Sequence, residues 1–367
     1  MQTRHPVRVQ SLSLVDLRNH RATRLEPGDA PCVVLTGSNG AGKTNILEAL
    51  SLLAIGRGLR GAALSEIARQ GGDNGFQIAA TLSVEAALPA IALRTGTSAD
   101  APARRNLRIN GAPAALNTLS DWLSVLWLTP AMDRLFADTP SARRRFLDRL
   151  VLALSPSHAG HASRYEAAMR ARTRLLGGDA APDPAWLAAL EAQMAEHGAA
   201  IAAARVATVS ALAARLRALP ASAFPAPEIA LAGAPADADL AAALRAARPA
   251  DRAAGRATCG PHRADLLVMH AEKSMPAAQA STGEQKALLM AIVLAHAELV
   301  TEHSGRAPLL LLDEAAAHLD AIRRAALFAR LAALGGQSWL SGTDAGLFAG
   351  ISGAARFTIA DGIATPG

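Results

Sequence analysis

Apolar residues in the first 135 positions fall into short runs separated by turn formers. "VRVQSLSLVDL" (Val7–Leu17) alternates apolar and polar positions, the period-2 pattern of a half-buried strand. "CVVLT" (Cys32–Thr36) is an unbroken apolar run ending at Gly37, which fits a strand buried on both faces. "FQIAATLSVEA" and "AIALRTG" predict paired strands, and "LRINGAPA" carries Asn110-Gly111, a dipeptide suited to a tight hairpin. From about 136 to 255 the spacing becomes helical and strand signals nearly vanish. Ser141–Leu154 places Phe146, Leu147, Leu150 and Leu154 on one helical face, and Pro184–Leu219 predicts one long helix or a pair broken at Gly198. Beyond 256 strands return in "PLLLLDE" (Pro308–Glu314), "QSWLSGTD" (Gln337–Asp344) and "RFTIADGIATPG", the last with a turn at Asp361-Gly362. The texture predicts an α/β head built from 1–135 together with 256–367, and a helical lobe, 136–255, inserted between them.

Composition narrows the class. The 367 residues are 51% apolar, enough for a large core. The formal net charge of +6 is compatible with a nucleic-acid partner, whereas 3% aromatic content argues against reading single-stranded bases by stacking. Cys32 and Cys259 lie far apart, with no ligand partner at short spacing, and read as reduced thiols. Met1–Gln10 is polar, and no run of about 18 uncharged apolar residues occurs. The expectation is a cytoplasmic protein with no membrane span.

The chemistry begins at "TGSNGAGKTNILEAL" (Thr36–Leu50), where Gly37, Gly42, Lys43 and Thr44 fit G-x-x-x-x-G-K-[ST] between a strand and a helix. Glycines let the backbone N–H groups of Gly37, Ser38, Asn39, Gly40, Ala41 and Gly42 turn toward phosphate oxygens, and the helix aims its positive end at the same place. Lys43 reaches the β- and γ-phosphates of ATP, and the Thr44 hydroxyl holds Mg²⁺. The apolar strand ending in Asp313-Glu314 supplies the matching acids. Asp313 orients the Mg²⁺ shell, and Glu314 polarises the attacking water as general base.

"ASTGEQKALLMAIVLAHAEL" (Ala280–Leu299) precedes the acidic strand. Its Ser281, Gly283 and Gln285 resemble the S-G-G-Q signature of ABC-type ATPases, and Asp320 resembles their D-loop aspartate. The residues alone also fit a capped helix, with Ser281 as N-cap and Glu284 as its capping-box partner. The ABC resemblance implies two heads sandwiching two ATP molecules, each signature turn meeting the phosphates held by its partner. Where most ABC proteins carry a switch histidine, this chain has Thr343 and Asp344, which implies slow turnover.

Further blocks narrow the resemblance. "LSLVDLRNH" (Leu12–His20), the segment Gly37–Ala62, "TPSARRRFLDRL" (Thr139–Leu150) with Arg143, Arg144 and Asp148, and "TCGPHRADL" (Thr258–Leu266) resemble, in order and spacing, the motifs of the RecF family of bacterial recombination mediators. His20 stands where an aromatic residue is common. That resemblance implies an ABC-type head, a mixed sheet flanked by helices with an antiparallel β subdomain, plus an inserted helical lobe. It implies an ATP-dependent homodimer that binds duplex and gapped DNA without sequence preference, with weak DNA-stimulated ATP hydrolysis that releases the DNA. RecR, with RecO, would be its partners, and loading of RecA, replication restart and SOS induction its context. Arg57, Arg60, Arg143 and Arg144 are candidate DNA contacts, with solvated surface charge as the other reading. Asp148 has a plain structural reading, pairing with an arginine one turn away on its own helix. The alternative function is the ATP-hydrolysing subunit of a membrane transporter, which shares loop, signature and acids but not the large helical insert.

Overall fold

The unbroken apolar strand Cys32–Thr36 lies inside a six-stranded sheet, flanked in parallel by Ser338–Gly342 and Ala354–Ala360. Burial on both faces is what its lack of polar positions requires. The sheet continues through Leu309–Leu312 to Val125–Leu128, both parallel, and closes on its other edge with the antiparallel strand Ile363–Pro366. This computed structural model describes residues 5–84, 89–178, 182–220, 223–233, 239–317 and 319–367.

A second six-stranded sheet is antiparallel throughout: His20–Leu25, Arg8–Leu17, Phe76–Ser83, Ile91–Ser98, Ala101–Ile109 and Ala112–Pro113, in that spatial order. Part of the strand expected from "FQIAATLSVEA" lies outside the described residues. Both predicted turns form, with φ of +50° and +84° at Asn110 and Gly111 and +48° and +76° at Asp361 and Gly362. Two consecutive positive φ values match the twist of the flanking strands. Inward faces of both sheets share one core, including Leu12, Leu14, Leu35, Ile46, Leu50 and Trp339, all fully buried. The buried Gln337 amide ties the sheets: its Oε1 accepts from Val9 N (2.9 Å) and Trp339 Nε1 (2.9 Å), and its Nε2 donates to Ala30 O (3.0 Å). These elements form the first unit, Met1–Asp133 with Pro220–Pro225 and Ser281–Gly367.

The second unit, Arg134–Leu219 with Ala226–Ala280, differs from the expected helical lobe in two respects. Its boundary lies after 280 rather than 255, and it contains a sheet. The reason is pairing: Pro227–Ala232 runs antiparallel to Asp265–His270 over its whole length, and Met275–Pro276 pairs on the other side. Residues 256–280 are therefore committed to this unit. Its helices are Pro140–Leu154, capped by Thr139, then His158–Leu176 and the single 35-residue helix Pro184–Ala218. Gly198 does not interrupt that helix. A Cβ there would stand 2.6 Å from Leu240 Cδ2 and 3.3 Å from Tyr165, so glycine serves close packing.

Two helices, Pro184–Ala218 and Thr282–Ser304, are long and apolar enough to cross a membrane by composition. Thr282–Ser304 is largely buried in its own unit. Pro184–Ala218 places Glu191 and Arg205 in ion pairs within its unit.

Candidate active site

The loop Gly37–Thr44 leaves its strand and enters the helix Lys43–Ser51. Two glycines in it are irreplaceable on steric grounds. Gly37 has φ +146°, and a Cβ there would lie 2.2 Å from Ile359 O; Gly42 has φ +115°, and its Cβ would lie 2.7 Å from His20 Nε2. At Gly40, φ +83°, the space is open. The loop is held from behind by the N-terminal motif. Asn19 Nδ2 donates to Ala41 O (3.0 Å), Asn45 Nδ2 donates to Asn19 Oδ1 (2.7 Å), and His20 Nε2 meets Gly42 O at 3.0 Å. His20 is fully buried, so it braces the loop and presents no face for stacking.

Lys43 is buried, and its Nζ donates to Gly37 O and Ser38 O, each at 2.8 Å. Burial pushes its pKa down, opposed by the charges of Glu314 and Asp313. The Thr44 hydroxyl donates to the Asp313 carboxylate, 3.0 Å from both oxygens. Residues 269 apart in the chain thus meet where the sheet brings the loop strand and the acidic strand Leu309–Leu312 to the same end.

Ser341, fully buried on the intervening strand, is a site residue that motif reading did not single out. Its hydroxyl donates to Asp313 Oδ1 (2.6 Å) and accepts from Glu314 N (3.0 Å). Glu314 itself adopts φ +49°, a strained conformation for a non-glycine residue and one common at functional positions. Lys286 adds a third tether, donating to Glu314 O (3.2 Å) and pairing with Asp133 (3.5 Å). A serine two residues after an apolar tryptophan strand is a faint signal; a lysine in a chain with so few was a stronger one. Thr343 and Asp344 are exposed, and Asp344 accepts from Gly346 N (2.8 Å), capping the turn that follows.

Ser281 caps the helix Thr282–Ser304 in a reciprocal box: its N donates to Glu284 Oε2 (3.0 Å) and its hydroxyl to the same oxygen (2.8 Å). Gly283 is exposed with open space over its α-carbon, whereas Gln285 is buried. Asp320 caps the helix Ala321–Leu334, accepting from Arg323 N (2.8 Å). Among the described residues, no hydrogen bond or ion pair joins Ser281, Gly283 or Asp320 to the phosphate loop.

Beside the loop, buried Glu48 accepts from Arg18 Nε and Nη2, each at 2.8 Å, and from Arg60, which also donates to Asn45 Oδ1 (2.8 Å). Arg60 is thereby tied to the loop helix, while Arg57 is exposed. In the second unit Arg143 is likewise committed, its guanidinium forked onto Asp265 (2.8 and 2.6 Å). That pair explains why the two basic motifs share the sequence features they do: one supplies the fork, the other the carboxylate. Asp148 pairs with Arg205 (2.8 and 2.9 Å) and His158 (2.9 Å) from other helices, not with an arginine on its own helix. Arg144 donates to Ala264 O (3.1 Å).

The donor set fits a nucleotide and Mg²⁺: a glycine cradle, an amine at its centre, and a hydroxyl touching a carboxylate. Among the described residues, no group of three or more His, Cys, Asp or Glu side chains forms a metal cage. A Mg²⁺ ion held by one or two protein oxygens together with phosphates would need no such cage, and Thr44 and Asp313 are the residues that would hold it.

Comparison with known proteins places the chain in a family. The model of the RecF/RecN/SMC N terminal domain family matches residues 8–341. A DNA replication and repair protein RecF from Mesorhizobium japonicum is 50% identical, covering 96% of this chain and 96% of its own length. RecF of Brucella suis biovar 1 is 48% identical, covering 96% of this chain and 94% of its own. In fold, the chain superposes on a structure of the recombination mediator protein RecF with ATP at a TM-score of 0.84, with 22% identity over 99% of this chain and 98% of that one. An Smc head domain from Pyrococcus yayanosii aligns at a TM-score of 0.57, with 14% identity over 98% and 97% of the two chains. The first unit has the ABC-type ATPase head fold, with its mixed sheet and antiparallel β subdomain.

Proposed function

Because this chain belongs to the RecF branch of the RecF/RecN/SMC N-terminal domain family, we propose that it is a DNA-repair ATPase whose head uses ATP to close a homodimer on DNA. One observation carries the reading. Thr44 of the phosphate loop meets Asp313, with Glu314 fixed beside it by Ser341, while among the described residues no hydrogen bond or ion pair joins Ser281 or Gly283 to that loop. Half of a sandwich is assembled in one chain, and a second copy supplies the rest.

Lys43 exchanges its two loop carbonyls for phosphate oxygens, which are charged and therefore stronger acceptors. Thr44 and Asp313 hold Mg²⁺, which supplies charge neutralisation at the phosphates when bound. Glu314 accepts a proton from the attacking water, its backbone locked by Ser341 and Lys286 so that the carboxylate stays aimed. Ser281 and Gly283 present the positive end of a 23-residue helix to the partner's nucleotide. Gln285, buried, shapes that turn from within. Thr343 and Asp344 offer no buried side chain to sense the γ-phosphate, and turnover is correspondingly slow.

The closed dimer grips duplex DNA next to single-strand gaps through phosphate contacts, independently of sequence. Hydrolysis opens it. RecR, with RecO, joins it there, and RecA loading, replication restart and SOS induction follow; the work is cytoplasmic. Of the arginines first considered, Arg57 and Arg144 remain as DNA contacts, since Arg60 and Arg143 are held by Glu48 and Asp265. A transporter subunit is disfavoured by near-full-length similarity to RecF proteins through the inserted second unit.

The test is DNA binding by anisotropy with gapped, duplex and single-stranded probes, at two salt concentrations, with and without ATP–Mg²⁺. ATP should tighten binding to duplex and gapped probes, and Lys43→Ala and Ser281→Arg should each abolish that gain. Binding that is weak and indifferent to ATP would sink the reading.

A further inference from the structure

The second unit contains a cavity of about 530 Å³ whose charged lining is all of one sign. Arg170 and Arg174 reach it from the helix His158–Leu176, Arg144 from Pro140–Leu154, and Arg256 and Arg263 from the segment leading into the strand Asp265–His270. No carboxylate lines it.

Each nearby acid is already engaged. Asp265 is forked by Arg143, and Asp148 is shared by Arg205 and His158. Glu166 meets Arg170 at 3.5 Å, but both side chains are mostly exposed, so that pair neutralises little. Arg174, Arg256 and Arg263 have no side-chain hydrogen bond or ion pair among the described residues. Arg170 and Arg174 stand at i and i+4, a like-charge spacing that costs a helix stability.

The local field leaves its mark on two neighbours. Burial first, then the positive charges of Arg205 and Arg263, push the Arg144 pKa down, although Asp265 and Asp148 oppose them. Burial likewise lowers His262, and Arg263 and Arg144 lower it further, against its hydrogen bond to the Ala257 carbonyl and the charge of Asp251. His262 therefore lines the cavity as a neutral ring, held by Tyr165 Oη (2.8 Å) and Ala257 O (3.0 Å).

We propose that this cavity binds a ligand carrying two or more adjacent phosphate groups, forming a second anion site distinct from the phosphate loop. Five guanidinium forks from three separate elements suit oxygens arrayed around neighbouring phosphorus atoms. A concave site of this volume admits a nucleotide-sized group rather than the flank of a duplex. Such phosphates come from a free polyphosphate or from the backbone of a nucleic-acid strand. The site shares Arg144 with the proposed DNA surface but needs neither ATP at the loop nor a dimer, so a test on Arg174, Arg256 and Arg263 separates it from the clamp.

The experiment uses the full chain carrying Lys43→Ala, which weakens phosphate binding at the loop, and titrates inorganic tripolyphosphate by calorimetry at low salt. A single-site isotherm is expected. Replacing Arg174, Arg256 and Arg263 together by Ala should weaken it by at least roughly tenfold, and binding should fall steeply with salt. Arg256→Glu alone, with the melting curve checked, guards against loss of fold in the triple variant and should also weaken binding. Competition identifies the source. A short single strand that displaces tripolyphosphate points to a nucleic-acid backbone, whereas displacement by ATP but not by the strand points to a free polyphosphate; either supports the site. Unchanged affinity in folded triple and single variants overturns it. So does displacement by an oligoglutamate peptide as effective as tripolyphosphate, because the site would then be a carboxylate-binding surface for a protein.

Discussion

Ser341→Ala isolates the link between the sheet and Glu314, the proposed general base. The wild-type hydroxyl is fully buried, donates to Asp313 Oδ1 at 2.6 Å and accepts from Glu314 N at 3.0 Å. Alanine removes both bonds at once. Asp313 keeps its hydrogen bond from Thr44, so its carboxylate loses one donor of two. The Glu314 N–H is left in a site with no replacement acceptor. A buried donor stranded in this way costs about 1–3 kcal/mol, and a lost bond to a charged group a similar amount. Shared between partly relaxing groups, the total expected is about 2–3 kcal/mol, roughly 4–10 °C in melting temperature for a unit of this size. The catalytic consequence is larger. Glu314 sits at φ +49°; Ser341 holds its N–H, and Lys286 and Ala317 N hold its carbonyl. A shift of about 1 Å in a positioned group costs on the order of 100-fold in rate. ATP turnover should therefore lose roughly 10- to 100-fold in kcat, with KM nearly unchanged because Lys43 and the loop are untouched. Steady-state phosphate release read beside ATP affinity gives the split. A variant that raises KM while preserving kcat, or one that leaves both intact, would refute the positioning role.

Other outcomes follow from the same structure. Gly37→Ala should cost at least about 3 kcal/mol or abolish nucleotide binding, because its Cβ meets Ile359 O, whereas Gly40→Ala, in open space, should cost about 1–2 kcal/mol; equal effects by chemical denaturation would contradict the steric argument. Arg172→Met removes the guanidinium that bonds Glu191 (3.0 Å), Asp251 (2.5 Å) and Leu244 O (2.6 Å), and should destabilise the second unit by about 3 kcal/mol. Glu191 keeps Arg248, and Asp251 keeps its two bonds from Thr258, which places the loss at the low end of such cases. Burial pushes the carboxyls of Asp148, Glu191 and Asp251 up, but their arginine, histidine and threonine donors outweigh it and hold all three below the ordinary range. Their contribution is thus full above about pH 4 and disappears as pH falls through the depressed values. Melting temperature should drop between about pH 5 and pH 2, and a rise over that interval would reverse the sign of the argument. Burial raises the Cys32 thiol to about 12, so thiol reagents at neutral pH should leave it unmodified in the folded chain.

The nucleotide site was legible because each of its parts is local in sequence. A cradle of glycines before a lysine, and acids at the tip of an apolar strand, are patterns imposed by one turn and one strand end. The strands of the first unit were readable for the same reason, since period 2 and paired turn residues report on immediate neighbours. What stayed hidden depends on distant partners. The segment 256–280 looked like part of the head because nothing in "DLLVMH" reveals that Pro227–Ala232 lies beside it. Gly198 left one long helix and a broken pair equally open because its packing against Leu240 is invisible along the chain. Arg60 and Arg143 read as free charge because Glu48 and Asp265 stand 12 and 122 positions away. The basic cavity is hidden on the same grounds, assembled from three elements that share no motif.

The order of the central sheet bears on how the protein is made. Cys32–Thr36, which carries the phosphate loop, pairs only with Ser338–Gly342 and Ala354–Ala360. On the ribosome, the strand waits through some three hundred residues of synthesis before either neighbour emerges, while the second unit, encoded in between, completes its own local contacts first. A nascent or truncated chain ending before 338 has a loop sequence but no sheet to hold it. A chain that lacks residues from 338 onward should therefore fail to hold the loop in its folded form, because both strands that flank Cys32–Thr36 are missing.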